Sequence, residues 1–124
     1  MKPNLRNNIA ERNMKDWAKE LPLAVTITDK EGTIIYMNNR ANETLAHGNA
    51  DKIIGTSIFG CHGERSTSII KDLIANEKTN TYTISKKGQK KIVHQTPYYE
   101  NGEFAGLVEF SIVIPEDLPH YDRG

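Results

Sequence analysis

The stretch that decides the fold of this chain is VTITDKEGTIIYMNNRANETL, residues 25–45. Its first four residues alternate valine and isoleucine with threonine, which is the pattern of a half-buried strand. The segment DKEG, residues 29–32, has turn chemistry, and residues 33–37 resume a β-rich run. Asn38 or Asn39 then caps a helix through its side-chain oxygen. The stretch therefore predicts a β-hairpin that leads directly into a helix.

The second half of the chain predicts one longer helix and three strands. Residues 64–76 place isoleucine and leucine on one flank of a helix. Strands follow at about residues 79–85, 90–98 and 105–114. Each of the two intervening turns contains a glycine, which adopts a positive φ at low cost, and the second turn contains the strong hairpin signal Asn-Gly.

This order of elements resembles that of PAS domains: a strand, a DxxG turn, a strand ending in Asn, a short helix, the sequence IIG, a longer helix and three strands. The resemblance covers residues 22–115 and implies an α+β fold. Its sheet would be five-stranded and antiparallel, in the order 2-1-5-4-3, with helices on one face. It also implies a role in sensing and partner binding. On this basis residues 1–21 form an N-terminal helical extension and residues 116–124 a C-terminal tail.

The composition is typical of a single soluble domain. The 124 residues are 37% hydrophobic and 26% charged, which is sufficient for one modest core. Sixteen basic and sixteen acidic residues cancel, so the charge gives no reason to expect nucleic acid or an anionic membrane as a partner. No apolar run has the length of a transmembrane helix, and the N-terminus lacks the apolar core of a signal peptide. We therefore expect a cytoplasmic protein. Met1 and the short tail favour a stand-alone bacterial PAS-fold sensor.

The N-terminal extension contains an amphipathic helix. Met14, Trp17, Ala18 and Leu21 follow helical spacing and form an apolar stripe, and a proline follows them. This stripe covers either the sheet of its own domain or a second subunit. PAS domains commonly dimerise through such a helix, and tryptophan is enriched at interfaces. The resemblance therefore implies a homodimer with these four residues at its interface.

The space between the sheet and the helices is the ligand cavity of PAS domains, so the resemblance implies that polar residues there orient a small molecule. On the last strand, the set containing Glu109 alternates with the apolar set Val108, Phe110 and Ile112. The sequence does not determine which set faces the helices. The ligand-binding residues suggested by the resemblance are Asn38, Cys61, His62, His94, Tyr98 and Glu109.

The pair Cys61-His62 has three interpretations. In the first interpretation, His62 is an axial haem ligand, since imidazole binds iron. The long helix usually carries this ligand in haem-binding PAS domains, but the predicted long helix of this chain contains no histidine. Alternatively, Cys61 forms a flavin adduct, but the flanking sequence differs from that of the light-sensing PAS proteins. The third interpretation, which we favour, is structural, because a lone cysteine behaves as a small hydrophobe. A single cysteine also excludes an intrachain disulfide.

Enzymatic motifs are absent from the sequence. The chain contains no GxxxxGK[ST], GxGxxG or HExxH pattern. We therefore expect a non-enzymatic sensor that binds a small molecule or a separate signalling protein. A ligand-free dimerisation module is the alternative. A cavity of a few hundred Å³ with convergent polar groups would favour the sensor, whereas a space filled by apolar side chains would favour the interaction module.

Overall fold

A computed structural model describes residues 17–61 and 63–124, except for the side chain of Cys61. The strands are β1 (Ala24–Asp29), β2 (Ile34–Met37), β3 (Asn80–Lys86), β4 (Gln89–Glu100) and β5 (Glu103–Val113). The helices are α1 (Asn39–Thr44), α2 (Ala50–Ile53) and α3 (Glu64–Asn76), with a 3-10 helix at Ile58–Cys61. The strands form one antiparallel sheet in the order β2-β1-β5-β4-β3, which confirms the predicted fold.

The first hairpin is closed by the side chain of Asp29. Its Oδ1 accepts hydrogen bonds from the backbone N–H groups of Glu31 (3.0 Å) and Thr33 (2.9 Å). This is an Asx turn, in which an aspartate substitutes for backbone acceptors and holds the chain in a tight reversal. The predicted turn at residues 29–32 is therefore confirmed.

Two glycines are required by the geometry of β5. Gly102 and the preceding Asn101 have φ values of 80° and 52°, as expected for a two-residue turn of type I′. Gly106 pairs with the end of β1, and a Cβ atom there would collide with the carbonyl oxygen of Thr28. Glycine at position 106 therefore permits the pairing of β5 with β1 to reach the end of β1.

Helix α3 packs on the sheet and has the predicted bounds. Its residues Ile70 and Leu73 are buried and join Ile34, Ile58 and Leu107 in the hydrophobic core. Because Leu107 belongs to this core, the face of β5 that carries it is the face toward α3. We call this the inner face of the sheet and the opposite one the outer face.

The register of the sheet determines which alternating residues of β5 lie on the inner face and which on the outer face. The sequence left this assignment open. Glu109 lies two positions from Leu107 and is therefore on the inner face, with Ser111. Val108, Phe110 and Ile112 lie on the outer face. The apolar set of β5 thus faces away from α3, and the mixed set faces the helices.

Asn38 makes four hydrogen bonds to three other segments of the chain. It is 1% exposed, and its Oδ1 accepts hydrogen bonds from the N–H groups of Val25 (2.9 Å) and Ala41 (3.0 Å). Its Nδ2 donates to the carbonyl oxygens of Ala18 (2.9 Å) and Leu23 (2.8 Å). One side chain therefore caps α1, pairs with β1 and holds the segment that precedes β1. The predicted helix cap at Asn38 is confirmed.

The described part of the N-terminal extension begins at Trp17. Residues 17–19 are helical, and Ala18 is buried, whereas Trp17 is 57% exposed. Leu21 is half-buried, and Met14 lies outside the described residues. None of the helices within residues 17–61 and 63–124 is long and apolar enough to cross a membrane.

The four hydrogen bonds of Asn38 give a direct prediction for stability. Asn38→Ala should lower the free energy of unfolding by about 3 kcal/mol or more, because each buried backbone group left without a partner costs roughly 1–3 kcal/mol. Asn39→Ala is the matched control, since Asn39 is exposed. Urea denaturation followed by circular dichroism measures both. Equal, small effects of the two substitutions would contradict the role assigned to Asn38.

Candidate functional site

A row of polar residues crosses the inner face of the sheet. Cross-strand pairing places Asn80 of β3, Gln95 of β4, Glu109 of β5 and Thr26 of β1 side by side. Asn80 Nδ2 donates a hydrogen bond to Gln95 Oε1 at 3.0 Å. Gln95 Nε2 donates to Glu109 Oε2 at 2.9 Å. We call Asn80, Gln95 and Glu109 the polar row.

The polar row has a fixed direction. The carboxylate of Glu109 can only accept hydrogen bonds, so Gln95 must present its NH₂ group to it. The carbonyl oxygen of Gln95 then faces Asn80, which must present its own NH₂ group. The donors therefore all point toward Glu109, and both ends of the row, the Glu109 carboxylate and the Asn80 carbonyl, are acceptors.

Two buried hydroxyl groups lie beside this row. Thr26 and Thr28 are 8% and 2% exposed, and neither Oγ1 atom has a hydrogen-bond partner among the described residues. They line a small cavity together with Gln95, Glu109 and the core residues Ile58, Ile70 and Leu107. Its volume is about 10 Å³, which is room for one water-sized group. A buried hydroxyl without a partner costs free energy, so a polar atom placed there would be stabilised.

A larger open groove adjoins this cavity. It has a volume of about 300 Å³ and lies between α3 and strands β3 and β4. The lining residues are Arg65, Ser66, Ile69 and Ile70 of α3, with Asn80, Tyr82 and Gln95 of the sheet. Ile70 and Gln95 line both spaces, so the groove and the cavity are neighbours. Gln95 is buried and forms the floor of the groove, whereas Arg65 is exposed and forms part of its rim.

The electrostatics of Tyr82 reflect its position in the groove. Burial raises the pKa of its phenol above the ordinary value of 10.0, and the negative charge of Glu109 raises it further. Tyr82 and Glu109 lie on β3 and β5, with β4 between them. The field of the Glu109 carboxylate therefore extends across the polar row to the groove.

The structure separates the residues for which the resemblance suggested ligand binding. Of the suggested residues whose side chains the structure describes, Glu109 alone lines the cavity or the groove. His94 and Tyr98 alternate with Gln95 along β4 and lie on the outer face, where His94 Nδ1 is 2.8 Å from Thr81 Oγ1. Strand alternation therefore points them away from α3 and the cavity, and a ligand-binding role for these two residues stays a prediction. Cys61 ends the 3-10 helix.

The other suggested residues have different outcomes. Asn38 makes four hydrogen bonds to backbone groups, so its side chain is committed to the fold. His62 lies outside the described residues, as does the side chain of Cys61. Roles for these two side chains stay predictions.

Sequence reasoning missed most of the site. Asn80, Gln95, Tyr82 and the two threonines were not singled out, although Gln95 stands next to His94 in the sequence. The signal that could have identified Gln95 and Asn80 is their shared face with Glu109. To recognise this shared face from the sequence, one must know which face of β5 is the inner one and how β3, β4 and β5 are aligned.

The dimensions of the enclosed space bear on the cofactors considered from the sequence. A cavity of about 10 Å³ does not enclose a haem or a flavin unless α3 moves away from the sheet. Among the described side chains, no three His, Cys, Asp or Glu residues are grouped so that they could hold a metal ion. The enclosed cavity of this structure therefore fits neither cofactor, and His62, the residue considered for haem, lies outside the described residues.

Comparison with known proteins supports the fold assignment. No family model and no curated protein matches the chain. Among solved structures, the PAS domain of an HTR-like protein from Haloarcula marismortui matches with a TM-score of 0.60 and 16% identity, over 88% of this chain and 95% of that one. A sensory box sensor histidine kinase from Vibrio cholerae matches with a TM-score of 0.60 and 12% identity, over 92% and 100%.

A third solved structure, the VqmA dimer of Vibrio cholerae, is described among LuxR-type receptors. It matches with a TM-score of 0.65 and 16% identity, over 85% of this chain and 52% of that one. These likenesses establish the fold: the chain is a PAS-fold domain.

The pKa of Tyr82 gives a test of the site's electrostatics. Because the folded state favours the neutral phenol, its contribution to stability is present below pH 10.0 and is lost as the pH rises through the higher folded pKa. Glu109→Gln should lower the Tyr82 pKa while leaving it above the ordinary value, since burial is the larger cause. The difference in absorbance at alkaline pH between each protein and its Tyr82→Phe derivative isolates this group. A Tyr82 titration that Glu109→Gln does not move would contradict the proximity of the two charges.

Proposed function

We propose that this chain is a sensory PAS domain that binds a small molecule in the groove between α3 and the inner face of the sheet. It acts by binding and not by catalysis, and it passes the signal to a second copy or to a separate signalling protein. The observation that carries this proposal is the polar row, which ends at the floor of an open groove. A volume of about 300 Å³ is at the lower end of the range for small-molecule sites.

The polar row supports the proposal of ligand binding, because its side chains lower the stability of the fold when no ligand is bound. Polar side chains between a sheet and a helix lose hydration, and only part of that loss is recovered by hydrogen bonds within the row. The unpartnered hydroxyls of Thr26 and Thr28 add to this cost. A ligand that supplies the remaining hydrogen bonds would recover it. Two of the solved structures compared above are described as a sensor kinase and a receptor, which is in keeping with this role.

One observation favours the alternative, a ligand-free interaction module. The enclosed cavity is only about 10 Å³, because the core side chains fill the space between α3 and the sheet. The groove distinguishes our proposal from this alternative, since it admits a ligand from the side without displacing the core. Binding in the groove is therefore the decisive question.

The central strands offer a physical connection between ligand and partner. Thr26 lines the small cavity, and the backbone N–H group of the adjacent Val25 donates a hydrogen bond to Asn38 Oδ1. Asn38 also binds the carbonyl oxygen of Ala18, next to the exposed Trp17. A displacement of β1 by a ligand would thus reach the N-terminal helix through two hydrogen bonds. We propose that Trp17 contacts a second copy of the chain there.

Filling the groove tests the proposed function. Ser66→Trp places a large side chain in the groove, whereas Ser68→Trp is the matched control, because Ser68 is also exposed on α3 but does not line the groove. Thermal shift with a library of small molecules should identify a binder. At a hundredfold excess over its Kd, it would stabilise the protein by about 2.7 kcal/mol.

The two variants separate the outcomes of that screen. Ser66→Trp should abolish the thermal shift, and Ser68→Trp should retain it. A ligand that stabilises both variants equally binds elsewhere, which would refute the groove as the site. If no compound shifts the unmutated protein, the interaction module becomes the better account.

Dimerisation gives a second test. Trp17→Ala should weaken a homodimer by about 2 kcal/mol, as expected when a large aromatic side chain is removed from the centre of an interface. Tyr121→Ala is the control, since Tyr121 is 70% exposed and lies in the C-terminal tail. Sedimentation equilibrium of both variants and the unmutated protein measures the effect. A monomeric unmutated protein, or an equal effect of the two substitutions, would exclude Trp17 from a dimer interface.

A further inference from the structure

The cavity and the groove together have a negatively charged residue at the deep end and a positively charged residue at the rim. Glu109 lines the deep cavity, and Arg65 lines the rim of the groove. Gln95 lies between them and lines both spaces. A ligand that fills the groove and reaches past Gln95 therefore meets a carboxylate at one end and a guanidinium at the other.

The deep end requires a hydrogen-bond donor. The direction of the polar row commits the NH₂ group of Gln95 to Glu109, and a carboxylate has lone pairs for several further hydrogen bonds. The buried hydroxyls of Thr26 and Thr28 lie in the same cavity and can also accept. None of the seven residues lining that cavity is basic. A cationic nitrogen is the group that best compensates a carboxylate in such surroundings.

The rim requires an acceptor or an anion. Arg65 is a donor of fixed charge whose planar guanidinium matches a carboxylate. Tyr82 lines the same groove, and its phenol, whose pKa is raised above 10.0, is a neutral donor at physiological pH. The groove is therefore lined by two groups that can donate hydrogen bonds to a ligand carboxylate.

We propose that the ligand is a small amphoteric molecule with a basic nitrogen at one end and a carboxylate at the other. The nitrogen meets Glu109 and the threonine hydroxyls, and the carboxylate meets Arg65 and Tyr82. This assignment of ligand class rests on the proposed function, because it takes the groove as the binding site.

Three matched probes test the charge arrangement: 4-(aminomethyl)benzoic acid, which carries both groups, and benzylamine and benzoic acid, which carry one each. Titrations followed by ¹H–¹⁵N spectra of the protein give each Kd. The amphoteric probe should bind at least about tenfold more tightly than either single-group probe, since each charged hydrogen bond contributes more than a neutral one.

Two substitutions should each weaken the affinity for a different pair of the three probes. Glu109→Gln should weaken the amphoteric probe and benzylamine but not benzoic acid. Arg65→Gln should weaken the amphoteric probe and benzoic acid but not benzylamine. Glu103→Gln on β5 and Arg40→Gln on α1 are the charge-matched controls, because neither residue lines the groove or the cavity, and they should leave all three affinities unchanged. Thermal denaturation shows whether each variant is folded.

The results that overturn the assignment differ from those that overturn the proposed function. If benzoic acid or benzylamine binds as tightly as the amphoteric probe, or if no probe binds, the amphoteric class is wrong. If the library screen nevertheless identifies a compound whose binding Ser66→Trp abolishes, the groove remains the ligand site. If no compound of any class binds in the groove, the proposed function itself fails.

Discussion

The side chain of Asn38 is the constraint on which the arrangement of the domain depends. Its amide holds the first turn of α1, the start of β1 and the segment around Ala18 and Leu23 in fixed relation. An amide is suited to this position because it offers an acceptor and two donors on one short, buried group. An aspartate would lose both donated bonds, and a serine would reach fewer of the four backbone groups. The hydrogen bonds of Asn38 thus fix the position of β1, which forms the inner face of the sheet together with β5.

Some parts of this structure follow from local sequence chemistry. Asp29 and Gly32 form the first turn, Asn101 and Gly102 form the last, and Asn38 caps a helix, because each requires only near neighbours in the chain. The helix at residues 64–76 and the five strands were predictable from periodicity and turn residues. The strand order came from the resemblance to PAS domains.

The site was less accessible to sequence reasoning, because it depends on pairing between distant strands. Thr26 and Glu109 are adjacent in the sheet but 83 positions apart in the chain. On β4, a polar residue occurs on both faces, His94 outside and Gln95 inside, so alternation alone gives no preference. Histidine is chemically the more conspicuous of the two, so His94, and not Gln95, was singled out from the sequence. The decisive observation was Leu107, whose place in the core identifies the inner face of β5.

The central claim is that a small molecule binds against the polar row on the inner face. The most direct test follows the side-chain NH₂ resonances of Asn80 and Gln95 in ¹⁵N-labelled protein during titration with a stabilising compound. The account predicts that both resonances shift, whereas the NH₂ resonance of Asn101 does not, because Asn101 lies in the exposed turn after β4 and lines neither the groove nor the cavity. Unchanged side-chain NH₂ resonances of Asn80 and Gln95, with shifts confined to amide groups elsewhere in the protein, would contradict it.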